Sequence, residues 1–208
     1  MLKRCLVVTG MLVALALWSA SEANAQTFYN LTLQSCGGGG CGTSPFGTVE
    51  LQQGVNSVIV TVTLSPVSDR FSAGGNDVLT FNLSGSGTVT LTGAAPDNLT
   101  LATGTFNQTP FGSFSFAVNC MGPMSVCNGS HTSSTNTESF TLNRTGLTVS
   151  SFIPNSGGFL FTSDITATTG SGIVAAVTPE PASMLLFGTG LLVVAGIVRR
   201  RRPEGASA

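Results

Sequence analysis

Five cysteines, one histidine and a few carboxylates hold whatever chemistry this chain could perform. Cys5 lies in an N-terminal leader, so the mature chain keeps Cys36, Cys41, Cys120 and Cys127, an even set with three possible connectivities. Local pairing is expected, Cys36 with Cys41 and Cys120 with Cys127. The first pair encloses four glycines that can take whatever φ a small ring needs, and the second encloses Gly122-Pro123, which can turn it. A four-thiolate zinc site would call for tighter CxxC-like spacing, and adding His131 to Cys120 and Cys127 leaves the ligand set one short. His131 sits in the polar segment Asn128 to Thr135, and no Gly-x-Ser-x-Gly turn presents a nucleophile to it. Asp69 and Asp77 bracket a loop ending Ala73-Gly74-Gly75-Asn76, where Asp69, Asn76, Asp77 and backbone carbonyls could hold calcium. Neither EF-hand nor nonapeptide spacing supports that site, and a strand-to-strand turn is the simpler reading. The Gly37 to Gly40 run lacks a following Lys-Ser/Thr and is no phosphate cradle. The expectation is a protein that is not an enzyme, with no cofactor and no metal; a hydrolase is the distant alternative.

The elements that would position these residues are strands. Val58, Val60, Val62 and Leu64 alternate with Ile59, Thr61 and Thr63, and Leu79, Phe81 and Leu83 alternate with Val78, Thr80 and Asn82. Val89 and Leu91, then Phe114, Phe116 and Val118, repeat the period of two, as do Phe140–Leu142, Leu147–Val149 and Phe159–Phe161. Gly, Pro and Asn-Gly-type breaks separate the runs at the spacing of a sandwich. With roughly nine or ten short strands, the pattern predicts an all-β fold, an antiparallel two-sheet β-sandwich of jelly-roll type. A β-barrel is the alternative. No period holds over three units, as a solenoid would require.

Lys3 and Arg4, an apolar stretch from Leu6 to Trp18 and the small-x-small site Ala23-Asn24-Ala25 read as a signal peptide over residues 1–25, with the mature chain starting at Gln26. Residues 26–178 form one expected domain. Its acids Glu50, Asp69, Asp77, Asp97, Glu138 and Asp164 outnumber Arg70 and Arg144, a formal net charge of −4. No basic patch exists to neutralise phosphates, so nucleic acid is excluded as a partner.

Pro179-Glu180-Pro181, an uncharged run through residues 182–198 and then Arg199, Arg200, Arg201 and Arg202 follow in order. At about 1.5 Å per residue the stretch from Ser183 to Val198 covers roughly 25 Å of helix. Pro181, Ala182 and snorkelling arginine side chains bring it to spanning length, which predicts a single C-terminal transmembrane helix. The arginines stay cytoplasmic and place the body outside. The prolines end the helix and leave an extended, protease-accessible segment that carries the charge of Glu180.

This arrangement over residues 179–208 resembles the PEP-CTERM sorting signal of bacterial exported proteins. The resemblance implies recognition by an exosortase in the inner membrane and cleavage at the triplet, so that Pro179, Glu180 and Pro181 act in sorting. The usual form has Val directly before the first proline, where this chain reads Val177-Thr178-Pro179. The body also looks like a recurrent PEP-CTERM passenger over about residues 44 to 176. That likeness rests on Gly47-Thr48-Val49-Glu50-Leu51, Val58 to Leu64, Asp69-Arg70-Phe71 and Asp77 to Leu83, then Gly146 to Phe152 and Gly157 to Ile165. It implies no established activity.

Two addresses without a reactive constellation predict a non-enzymatic envelope or matrix protein, structural or adhesive in association with exopolysaccharide. Its expected course is an inner-membrane precursor, then the cell surface or extracellular matrix. The alternative is a glycan-binding module, for which Tyr29 is the stacking candidate, Trp18 being lost with the leader. The expected interaction surface is a polar Thr/Ser/Asn sheet face together with the loop from Cys120 to Thr135. Asn-x-Ser/Thr triplets at Asn30, Asn82, Asn98, Asn107, Asn128 and Asn143 reflect a composition rich in Asn and Thr.

Overall fold

A strand shows its surroundings through its side-chain period of two. In Ser57–Leu64 the residues Val58, Val60, Val62 and Leu64 are buried, while Ile59, Thr61 and Thr63 keep contact with solvent. The computed structural model describes residues 26–71, 77–93, 99–120 and 136–178. The chain divides at Val177, and of the second unit, Thr178–Ala208, only Thr178 is described. In chain order the strands are β1 (Gln26–Leu31), β2 (Leu33–Cys36), β3 (Gly47–Gly54), β4 (Ser57–Leu64), β5 (Arg70–Phe71), β6 (Asp77–Leu83) and β7 (Thr90–Thr92). They continue as β8 (Leu99–Asn107), β9 (Ser113–Cys120), β10 (Thr137–Asn143), β11 (Phe152–Ile153), β12 (Phe159–Thr166) and β13 (Ser171–Val177). The described residues hold three more strands than the upper sequence expectation, two of these thirteen being two-residue strands that no periodicity can announce.

The strands form two antiparallel sheets. The first has the order β1-β3-β4-β10-β7 and the second β2-β13-β12-β6-β9-β8, with β5 beside β12 and β11 beside β6. Between β1 and β2 the chain leaves the first sheet at Thr32 and joins the second, where the Thr32 amide donates to the Ala175 carbonyl at 3.0 Å.

One core fills the space between the sheets. Leu31, Val49, Leu51, Val58, Val60 and Val62 come from the first sheet, and Leu79, Phe81, Val118, Phe161, Ile165 and Val174 from the second. Each such side chain contributes about 1.5–3 kcal/mol on burial. Aromatic rings concentrate on the second sheet: Phe81 stacks on Phe116 at 5.5 Å and meets Phe152 at 5.4 Å, and Phe152 meets Phe161 at 5.6 Å.

Two local expectations change. Strand β6 is buried on both faces from Asp77 to Phe81, because it is central in its sheet and its second face is covered as well. On that second face Ala175, Thr162, Thr80 and Ala117 lie side by side across four strands, all fully buried, and the Thr80 and Thr162 hydroxyls hydrogen-bond to each other. Only small or internally paired side chains occupy this row. The Leu147–Val149 segment, read as a strand, is a turn leading into a 3-10 turn at Val149–Ser151. Local bonds win there: the Thr148 amide donates to the Ser151 hydroxyl at 3.1 Å, and the Ser151 amide to the Thr148 carbonyl at 2.9 Å. Among the described residues no helix is long and apolar enough to cross a membrane. The span expected at 182–198 lies outside them.

Candidate functional site

The Cys36–Cys41 disulfide is present, with Cα atoms 5.7 Å apart. Its glycine ring is clamped to the turn between β12 and β13. The Gly39 amide donates to the Thr169 carbonyl at 3.1 Å, the Thr169 hydroxyl to the Gly40 carbonyl at 2.8 Å, and the Gly37 amide to the Ser171 carbonyl at 3.0 Å. Gln34 accepts from the Cys41 amide at 2.7 Å. A Cβ on Gly170 would lie 2.7 Å from the Gly40 carbonyl oxygen and closer still to that of Gly37, so glycine at 170 is required for the approach. The Gly38 and Gly40 backbones have φ of 72° and 86°, the left-handed region that favours glycine. Cys120 ends β9; its side chain and Cys127, the other expected pair, lie outside the described residues.

The two acids considered for calcium are buried, and neither is arranged as a ligand cluster. Among the described residues no group makes a well-aligned hydrogen bond to either Asp69 carboxylate oxygen, and burial raises its pKa above 3.8 against the lowering influence of the nearby Ser68 side chain and the Arg70 charge. Asp77 is raised by burial too, opposed by the Gln108 amide that donates to it at 2.5 Å. Gln108 sits in the tip between β8 and β9, where Phe111 packs edge-on against Phe159 at 5.2 Å. Both contacts draw the tip back against the second sheet. Among the described residues no group of three or more His, Cys, Asp or Glu could hold a metal. Asn76, the third side chain of that reading, lies outside them, as does His131.

Tyr29 is not a surface platform. Its ring turns inward and meets Phe161 at 5.3 Å in a T-shaped contact, and burial raises its phenol pKa above 10.0. The exposed aromatic is its neighbour Phe28, 56% exposed and the only exposed phenylalanine among those described. Sequence offered a usable signal: Gln26 and Asn30 share the phase of Phe28, whereas Leu31 shares that of Tyr29.

Phe28 belongs to the outward face of the first sheet, which register divides into four rows. Asn30, Thr48, Thr63 and Thr137 form the first, and Phe28, Glu50, Thr61 and Ser139 the second. Gln26, Gln52, Ile59, Thr141 and Thr92 form the third; Ser57, Asn143 and Thr90 the fourth. Side chains are hydrogen-bonded within rows, Thr61 with Ser139 at 3.1 Å and Thr137 to Thr63 at 3.3 Å, and between neighbouring rows, Gln26 to Glu50 and Asn143 to Thr92 at 2.9 Å. Of the expected interaction surface, this polar face is in place. The loop from Cys120 to Thr135 is outside the described residues beyond Cys120 itself.

Ala23 and Ala25 of the leader, the Pro179, Glu180 and Pro181 triplet and the Arg199 to Arg202 cluster also lie outside the described residues; Gln26 opens β1. No curated protein and no solved structure matches the chain. The family model described as the PEP-CTERM protein-sorting motif matches residues 177–202, a stretch containing the triplet, the apolar run and the four arginines. The chain therefore carries a PEP-CTERM sorting motif, the mark of an exported protein sorted by an exosortase.

Proposed function

We propose that this is a non-enzymatic protein of the bacterial envelope or extracellular matrix, structural or adhesive in association with exopolysaccharide. The observation that carries the reading is the sorting motif at residues 177–202. In this reading the precursor is anchored in the inner membrane by residues 182–198, with Arg199 to Arg202 cytoplasmic, and is processed at Pro179-Glu180-Pro181. The passenger, residues 26–178, is a sandwich of jelly-roll type, and its two antiparallel sheets support that description. A body that binds or builds rather than turns over substrate follows from the sequence, which offers no nucleophile turn and no metal-ligand spacing. Intact-mass measurement of the exported form tests the sorting half: the product should lack residues 182–208, and deletion of the exosortase should leave the membrane-bound precursor. Arginines 199 to 202 still attached in the exported product would reduce the tail to a simple anchor.

The second reading, a glycan-binding module, is favoured by one specific observation, the exposed Phe28 ring on a polar sheet face. Retention of the full chain on the producing strain's own polysaccharide, without hydrolysis of glycan, ester or peptide panels, distinguishes a binding body from a hydrolase.

A further inference from the structure

We infer that the outward face of the first sheet binds an uncharged polysaccharide strand, with the Phe28 ring as the surface on which one sugar stacks. The inference rests on the exopolysaccharide reading and gives it a site.

A large aromatic ring left 56% exposed forgoes the stabilisation that burial gives the other described phenylalanines. Its surroundings match one kind of ligand. Glu50 stands directly opposite Phe28 in register, Thr61 and Ser139 continue the same row, and Gln26 and Asn30 flank it along β1. A pyranose presents a C–H face, which fits the negative face of an aromatic ring, and a rim of hydroxyls, which needs donors and acceptors beside that ring. Carboxylate, carboxamide and hydroxyl groups supply both.

The polar groups are also held in place before any ligand arrives. Thr63 accepts from Thr137 and keeps its own hydroxyl hydrogen to donate; Thr61 and Ser139 share one bond and retain lone pairs. Gln26 is fixed on Glu50. Ordering these side chains in the free protein lowers the entropy lost on binding.

Charge selects the class. Of the residues in the four rows Glu50 is the one acid, and none is lysine, arginine or histidine. Such a face repels uronates, sulfates and phosphates and accepts neutral hexoses. Size agrees as well: the longest row crosses five strands about 4.8 Å apart and the four rows stand about 6.7 Å apart, so the face reaches about 20 Å at its widest in each direction. That accommodates several consecutive sugars of a polymer.

The test uses the full chain in detergent, applied to insoluble cellulose and curdlan as uncharged polymers, to alginate beads as a charged one, and to the producing strain's polysaccharide. Wild-type protein should be retained on at least one uncharged polymer. Phe28→Ala and Phe28→Leu should bind about tenfold more weakly, and Phe28→Trp should bind as wild type, because a ring and not merely apolar area is needed. Glu50→Gln should weaken binding without changing the denaturation midpoint. Val67→Ser, at an exposed position between β4 and β5, should bind normally. If wild type and Phe28→Ala are retained equally, the face is wrong although the association with polysaccharide stands. Passage of wild type through every polymer ends both the association and this site, and retention on alginate alone overturns the uncharged class.

Discussion

The Tyr29 ring on β1 meets the Phe161 ring on β12 edge-on, with centroids 5.3 Å apart, and so joins the first strand of one sheet to a central strand of the other. The adjacent residue, Phe28, faces away from that contact into solvent. Two neighbouring aromatics therefore divide the tasks of holding the sheets together and presenting a ring.

Tyr29 is the chain's only tyrosine, which makes its environment directly measurable. Burial holds its phenol above 10.0. As pH rises the unfolded chain loses this proton first, so the associated stability is complete below about 10 and is lost as pH climbs through the folded value. Absorbance titration should give a midpoint above 10 in the native protein and near 10 in urea. Tyr29→Ala should cost about 3 kcal/mol in urea denaturation while leaving the exposed Phe28 ring in place. An unchanged midpoint for this variant would mean that the inter-sheet contact does not support the fold.

Gly170→Ala should be far more damaging than Gly37→Ala, although both glycines border the same disulfide ring. A Cβ at 170 meets the Gly37 and Gly40 carbonyl oxygens, whereas one at 37 meets nothing within 4 Å. The expected cost at 170 is about 1–3 kcal/mol from the displaced backbone, against little at 37. Paired thermal melts decide it, and equal melting temperatures would show that the ring is not clamped to the β12–β13 turn.

Replacing Cys36 and Cys41 together by serine should remove about 2 kcal/mol, the modest figure expected for so short a loop. Denaturation of the double variant beside wild type with and without reductant measures it. Non-reducing peptide maps should recover Cys36 linked to Cys41 and Cys120 linked to Cys127. A peptide joining the region of residue 36 to that of residue 120 would refute both pairings.

Asp69 and Asp77 set an unusual acid response. Both carboxyls are raised above 3.8 by burial, so as pH rises from 3.8 the unfolded chain ionises before the native state does. Their contribution to stability is therefore complete below 3.8 and falls as pH rises through the folded values. Urea midpoints should increase on acidification from pH 7 toward 4, and Asp69→Asn should flatten that slope. Midpoints that decline steadily over the same interval would refute the assignment.

Strands with one wet face were legible in the residues, and strands with two dry faces were not. Val58 to Leu64 declares its inner face because threonines occupy the other. Val78 and Thr80 carry the same alternation, yet they are buried by partners distant in sequence, and local periodicity says nothing of those. Leu147 is buried as its hydrophobicity suggested, but the capping bonds around Thr148 and Ser151 prevent a strand. At the candidate face, the polar rows on β4 and β10 followed from their threonines and serines. The choice between Phe28 and Tyr29 needed the phase of β1, which two adjacent aromatics obscure when they are considered without Gln26, Asn30 and Leu31.

The passage of the chain between sheets at Thr32 bears on the order of export. Among the described residues β2 pairs with β13 alone, Ser35 opposite Ile173 and Leu33 opposite Ala175, so a segment near the start of the body takes its partner from the strand that borders the sorting motif. A chain threaded outward from its N-terminus carries that early segment unpaired until β13 has emerged. Closure of the body therefore waits for the residues that border the sorting motif, and a chain cut short before Ser171 leaves β2 without the strand it pairs with.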